Sequence, residues 1–266
     1  SLLDVARPTR KYEHDMHLLK RLGVTALRMG EPTGRKVIHV YDPAGIDYAQ
    51  WYKWRAKGLY VISREKANSK AEVMGHSDWD SKDPRNAGIL SDELVGVFSG
   101  VLMRRVRYRD PDTLTEYSFI TSQLTLQPGL IAFLYKLRWD VEKVFDEKKN
   151  KLHEKKSWAI SDVARSQQAL FFCLTHNLMV RFERHLQAEH GITDLKVLKK
   201  RQQRATSRRQ RCQANRTQPN PMVEDCFRPT QRSLQFVRWL RYCLISATCY
   251  THAIDLLRPL MENYLT

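Results

Sequence analysis

Apolar and polar positions divide the chain into stretches of different period. Between residues 9 and 22, Met16, Leu18, Leu19 and Leu22 recur among charged residues at helical spacing, and Gly23 closes the run. Val37-Ile38-His39-Val40-Tyr41 is a short run of β-formers. Asp42-Pro43-Ala44-Gly45 follows, then Tyr48, Trp51, Tyr52 and Trp54 at helical spacing up to Gly58, then a second strand run, Leu59-Tyr60-Val61-Ile62-Ser63. Strand, helix, strand is the unit from which parallel α/β sheets are made. Residues 68–89 are polar, with Gly75, Asp78, Asp80, Asp83 and Pro84, and predict an exposed loop. Runs at 93–98, 101–108 and 115–121 alternate or cluster β-formers, with Asp110-Pro111-Asp112 between the last two, and predict an antiparallel meander.

Pattern then turns helical. Pro128 suits the first turn of a long helix reaching to about residue 152. A further helix at 160–190 carries Ala169-Leu170-Phe171-Phe172-Cys173-Leu174 and stops at Gly191; with Trp158 and the Phe171-Phe172 pair it is expected to pack over the sheet. Residues 230–265 are again helical, and no internal repeat is present.

Composition narrows the partners. Hydrophobic residues at 42% and aromatics at 10% suffice for a packed core and exclude disorder along the whole length. Lys plus Arg number 45 against 29 Asp plus Glu, a formal charge of +16, and an excess of that size calls for a polyanion, nucleic acid first. Residues 196–218 hold nine Lys or Arg and no acid, and read as a linker or DNA-contacting arm. No membrane span is expected: the longest apolar stretch, 244–257, is interrupted by Thr248, His252 and Asp255. The first residues lack the features of a signal peptide, so a cytoplasmic chain is expected. Five cysteines without a C-x-x-C pair argue against a disulfide scaffold or a zinc knuckle.

The long helix carries the chemistry. At about 100° per residue, Arg138, Glu142 and Lys149 lie roughly 60°, 20° and 40° to one side of Tyr135, beside an apolar arc of Leu134, Leu137, Val141, Val144 and Phe145. A partly shielded Glu142 carboxylate is therefore expected among cations. A Glu between Arg and Lys is ordinarily a surface ion pair, but Tyr, two residues, Arg, three residues, Glu, six residues, Lys arises by chance in roughly one chain of this length in a thousand.

With Tyr135, Arg138, Glu142 and Lys149 matching a Y-x2-R-x3-E-x6-K motif at every position, the sequence resembles the DDE transposases of bacterial insertion sequences, specifically insertion-sequence family four. Val37 to Tyr41 followed by Asp42, then a helix and the strand leading to Arg64 and Lys66, is similar to the part of that family that carries the second catalytic aspartate, although Pro43 stands where a small or basic residue is usual. Asp47 is the competing acid and better suits a helix start. The resemblance implies an α/β, ribonuclease-H-like catalytic core interrupted by an antiparallel β insertion, with a helical C-terminal region. It implies cut-and-paste transposition by metal-dependent hydrolysis and strand transfer at terminal inverted repeats.

Such chemistry at a phosphodiester uses two divalent ions about 4 Å apart, Mg²⁺ or Mn²⁺, held by hard oxygen ligands. Asp42 and Glu142 are the catalytic and metal-binding candidates; Tyr135, Arg138 and Lys149 are implied to hold phosphates, and Arg64 and Lys66 are backbone-contact candidates. Trp139 is a candidate to stack on a base. The partners implied are double-stranded DNA, both inverted-repeat ends and target, and a second copy of the chain in a homodimeric synaptic complex, in a bacterial cytoplasm at the nucleoid.

The resulting organisation is residues 1–67 as the remainder of the core, 68–127 as the β-rich insertion, 128–190 as the glutamate helix and completing helices, 191–229 as the basic linker or arm, and 230–266 as a C-terminal helical segment. The roughly forty residues before Asp42 supply one helix and no convincing strand set to carry a first catalytic acid, Asp4 and Asp15 being poor stand-ins. The expectation is an N-terminally truncated, inactive fragment. The rival reading is a non-catalytic DNA-binding remnant or domesticated derivative that keeps the basic surface and no chemistry.

Overall fold

The computed structural model describes residues 15–29, 31, 34–97, 100–146, 149–150, 156–158, 160–225 and 234–262. Helix α1 (Asp15–Leu27) bends at Gly23, whose φ of 67° departs from helical geometry, and continues beyond the expected stop. Strand β1 (Val37–Tyr41), helix α2 (Tyr48–Arg55) and strand β2 (Leu59–Arg64) form the expected unit, and β1 pairs with β2 in parallel. The meander is present as β4 (Ile89–Val97), β5 (Val101–Arg109) and β6 (Glu116–Thr121), all antiparallel.

The polar stretch read as a loop contains a further strand, β3 (Glu72–His76), paired antiparallel with β4. It is an edge strand, exposed at Glu72, Val73, Met74 and His76, so it lacks the buried alternation that announces a strand. The six strands form one sheet in the order β1-β2-β6-β5-β4-β3; the β-rich stretch joins the parallel pair through β2 and β6.

Alternation along each strand feeds two cores, one on each face. Val61 and Ile120 face α1 and α2, where Trp51 and Trp54 are fully buried. Their neighbours Ile62 and Phe119 face α3 (Pro128–Leu137), packing on Ile131 and Ala132. A third core is purely helical: α5 (Asp162–His190) contributes Met179 and Leu186, α8 (Leu234–Ile245) Phe236 and Trp239, α9 (Tyr250–Glu262) Ile254 and Leu257.

Helix α5 starts at its Ser161 cap and ends at Gly191, whose positive φ of 63° turns the chain out of the helix. Its first half does not pack over the sheet as expected. Trp158, Leu170, Phe171, Leu174 and Leu178 are about half exposed or more, and Trp158 packs on Phe171 instead. The basic stretch, read as a linker or DNA-contacting arm, is helical: α6 (Leu195–Ala214), capped by Asp194 and rich in Lys, Arg and Gln, which are good helix formers. The short helix α7 (Pro221–Asp225) follows. No described helix is long and apolar enough to cross a membrane.

Candidate active site

Because β1 and β2 run parallel, their carboxyl ends open on one edge of the sheet. The register pairs Tyr41 with Ser63, so Asp42, just past the end of β1, follows beside Arg64, the last residue of β2, which pairs on its other side with Phe119 of β6. Asp42 is exposed, and its Oδ1 accepts from the Ala44 N–H at 2.9 Å, capping a 3-10 turn over Pro43–Gly45. Pro43 occupies the first position of that turn, where its fixed φ fits and no N–H is needed. Asp47, the competing acid, is a helix cap: it accepts from the Gln50 N–H at 2.9 Å and pairs with Lys20 at 2.6 Å. Burial opposes its ionisation, but Lys20 and the Gln50 N–H outweigh that and hold its carboxyl below the ordinary value.

The expected single helix is two. Helix α3 ends at Leu137, and α4 (Trp139–Asp146) restarts after a tightened turn in which the Arg138 N–H donates to Tyr135 O and the Val141 N–H to Arg138 O, both at 3.1 Å. Arg138 sits at this break with its guanidinium over two rings, 5.7 Å from the Tyr135 centroid and 5.9 Å from that of Trp139. Its Nη2 lies 3.3 Å from Glu142 Oε1. Its Nε is buried with no hydrogen-bond partner among the described residues, a donor awaiting an acceptor.

Tyr135 lies under the Arg138 guanidinium and feels the Asp42 charge. Its ring rests on Phe119, centroids 5.0 Å apart. Burial raises its phenol above the ordinary value, the nearby Arg138 and Arg64 charges pull it down, and the Asp42 charge pushes it up. Asp42, Arg64, Tyr135, Arg138 and Glu142 therefore form one electrostatic neighbourhood.

Three expectations fare differently. The shielding foreseen for Glu142 is partial and does not come from a buried helix face: α4 buries none of its residues, Val141 and Phe145 are exposed, and the Glu142 side chain is 43% exposed. Lys149 is exposed beyond the end of α4, and Lys66 is exposed in the turn after β2, its carbonyl accepting from the Ser69 N–H. No contact joins either lysine to the neighbourhood among the described residues. Asp4 lies outside the described residues, and Asp15 opens α1. Among the described residues no group of three or more His, Cys, Asp or Glu is placed to hold a metal ion.

A family model of the transposase DDE domain matches residues 3–178. The span takes in β1, the whole sheet, and the break at Arg138, with Asp42 and Glu142 both inside it. The chain belongs to the DDE transposase family. No curated protein matches it.

Within this DDE domain the structure adds residues that sequence reading passed over. A cavity of about 340 Å³ opens beside Arg138, walled by Arg64, Tyr108, Tyr117, Phe119, Tyr135 and Trp139. Tyr117 and Phe119 alternate on β6 and stack at 5.9 Å, Tyr108 faces Tyr117 across the register, and Arg64 lies 5.9 Å over the Tyr117 ring. The alternation of aromatics on two neighbouring strands was the available signal. It marks a shared face, but only the packing of α3 shows that this face borders Tyr135 and Arg138.

Proposed function

We propose that the chain is the DNA-handling and catalytic part of an insertion-sequence transposase of family four, with a ribonuclease-H-like core. Its reaction is the metal-dependent hydrolysis and strand transfer of cut-and-paste transposition, on double-stranded DNA at terminal inverted repeats. The observation that carries this reading is the neighbourhood running from Asp42 through Tyr135 and Arg138 to Glu142, which unites two hard carboxylates with a phosphate-type donor set.

Arg138 would take a phosphate oxygen on the Nε that has no described partner, with a second N–H alongside, the fork geometry that suits phosphate. Arg64 would add a second positive charge from the neighbouring strand end. The exposed Trp139 face and the aromatic cavity offer stacking surface to a base next to that phosphate.

The donor set fits a divalent cation. Mg²⁺ is commonly held through one or two carboxylates with water completing its shell. Asp42 commits Oδ1 to its cap, and among the described residues Glu142 is held by its contact to Arg138. Asp42 and Glu142 would hold Mg²⁺ or Mn²⁺, two ions per site, supplying activation of the attacking oxygen and charge relief at the leaving one. The protein's own share is to anchor the phosphate on Arg138 and Arg64 and to present the two carboxylates beside it. Two copies of the chain would assemble on paired ends.

Mn²⁺ titrated into the protein, followed by its electron spin resonance signal, tests the site without relying on turnover. Binding is expected, and Asp42→Asn or Glu142→Gln should weaken it at least tenfold. Unchanged binding in both variants would overturn the metal assignment. The second reading, DNA binding without chemistry, draws on the Arg138–Glu142 pair, which on an exposed helix is also what an ordinary surface ion pair looks like. Duplex binding combined with no Mn²⁺ binding would favour it.

A further inference from the structure

The most basic stretch of the chain is fastened to the sheet at one end. Arg211 grips both carboxylate oxygens of Asp112, in the β5–β6 turn, through Nε and Nη2. Arg208 Nε lies 3.5 Å from the same group. Beyond α6, Asn215 Nδ2 donates to the carbonyls of Pro111 and Asp112 at 3.2 and 3.0 Å, and Thr217 Oγ1 donates to Pro111 O at 2.7 Å. Asn220 Nδ2 adds a bond to Arg85 O at 3.1 Å. Together these fix the direction in which α6 leaves the sheet.

The fastening is next to the candidate active site. Tyr108 and Asp110 line the aromatic cavity together with Tyr135 and Arg138, and Lys136 of α3 pairs with Asp110 at 3.1 Å. The charge of Arg208 acts on Tyr108, whose phenol burial pushes up. The C-terminal end of α6 is thus fastened to the turn that follows the cavity-lining Tyr108 and Asp110.

Along it, Lys200, Arg204, Arg208 and Arg211 fall within an arc of about 80° at 100° per residue. With a rise of 1.5 Å per residue, Arg204 and Lys200 stand about 6 and 12 Å up the helix from Arg208. Both are exposed, and neither forms an ion pair with a described residue. Helix α6 contains no acid. A solvated face is the ordinary explanation of surface charge, but like charges four residues apart repel each other in a helix, and here no acidic neighbour on α6 relieves them. A polyanion would.

We propose that α6 is a phosphate-binding strut: a duplex whose scissile phosphodiester lies at the Asp42–Glu142 site runs its backbone along Lys200 and Arg204, with the Asp112 clasp holding the helix on course. This rests on DNA being the substrate. The test is binding of the full chain to a labelled duplex, by fluorescence anisotropy across a salt series, for the parent and two double variants. Lys200→Gln with Arg204→Gln removes two charges from the stripe. Lys53→Gln with Lys57→Gln removes two exposed charges from α2 and its C-terminal turn, on the other face of the sheet.

Each phosphate contact contributes about 0.9 to the slope of log K against log salt. The stripe variant should therefore lose about 1.8 from the slope, and the α2 variant should keep the parent value. Equal slopes in the two double variants would overturn the strut. A parent chain that binds no duplex at all would instead overturn the reading of DNA as substrate, and the strut with it. Circular dichroism of each variant confirms that all three fold alike.

Discussion

Arg138 Nη2 lies 3.3 Å from Glu142 Oε1, one helical turn away, while the same guanidinium covers the rings of Tyr135 and Trp139. One side chain thus fixes the carboxylate of α4 relative to the aromatic wall of the sheet, at the point where the helix breaks. Asp42, just past β1, influences the same point through its charge on Tyr135. The site is a junction between the end of a parallel strand pair and a helix discontinuity, two features that are separately common.

Glu142→Gln keeps the shape and hydrogen-bonding length of the side chain and removes its charge. If Glu142 serves the chemistry, metal-dependent cleavage by the transposase should be lost by at least a hundredfold while duplex affinity changes less than threefold. Nicking of a labelled inverted-repeat duplex, measured beside anisotropy on the same preparation, checks both. Retained cleavage would remove Glu142 from the site.

Arg138→Lys separates the two jobs of the guanidinium. An exposed i,i+4 ion pair is worth about 0.3–0.5 kcal/mol, and a cation over a ring at an exposed site adds about 0.5–1 kcal/mol. The stability loss should therefore stay near 1 kcal/mol in a urea titration. Duplex affinity should fall further than that, because lysine is a point charge without the planar fork. A loss of stability with no loss of affinity would make Arg138 a packing residue.

The parallel pair was legible because Val37 to Tyr41 and Leu59 to Ser63 are β-rich runs and Tyr48 to Trp54 carries a helix period between them. The glutamate spacing was legible because it is linear in sequence. The break at Arg138 was not: no proline or glycine marks it, and the turn tightens through backbone bonds that composition does not reveal. Strand β3 hid because an exposed edge has no apolar face to show. The basic stretch hid as a helix because a run of Lys and Arg with no acid suggested a linker or arm, whereas Asp194 caps it and the Asp112 clasp ties down its far end.

Gly129 sets the approach of α3, and so of Tyr135 and Arg138, to the rest of the domain. A Cβ there would meet Arg85 O at 2.0 Å and Asn86 Oδ1 at 2.8 Å, and the Gly129 N–H donates to that same Asn86 oxygen at 3.1 Å. The obstructing atom is backbone and cannot swing away. Gly129→Ala should cost about 1–3 kcal/mol by overpacking, even though alanine is the better helix former. A variant as stable as the parent in a urea titration would show that α3 can shift without penalty.

His39 makes folding sensitive to mild acid. It lies on β1, where burial lowers its pKa below the ordinary 6.5, partly offset by its bond to the Leu27 carbonyl at 3.1 Å. A carbonyl only accepts, so Nε2 carries the proton and the neutral ring is already satisfied. Above pH 6.5 neither state protonates this ring, and the full stability is present. Below it the unfolded chain takes up a proton that the folded chain resists, so stability falls as pH drops from about 6.5 toward the lowered folded value. The carboxylates held below their ordinary range, Asp47, Glu93 and Asp112, lose their contributions only at more acidic pH. His39→Gln keeps a donor for Leu27 and cannot titrate. Urea midpoints between pH 7 and 5 should decline in the parent and flatten in this variant, whereas parallel declines would place the acid sensitivity elsewhere.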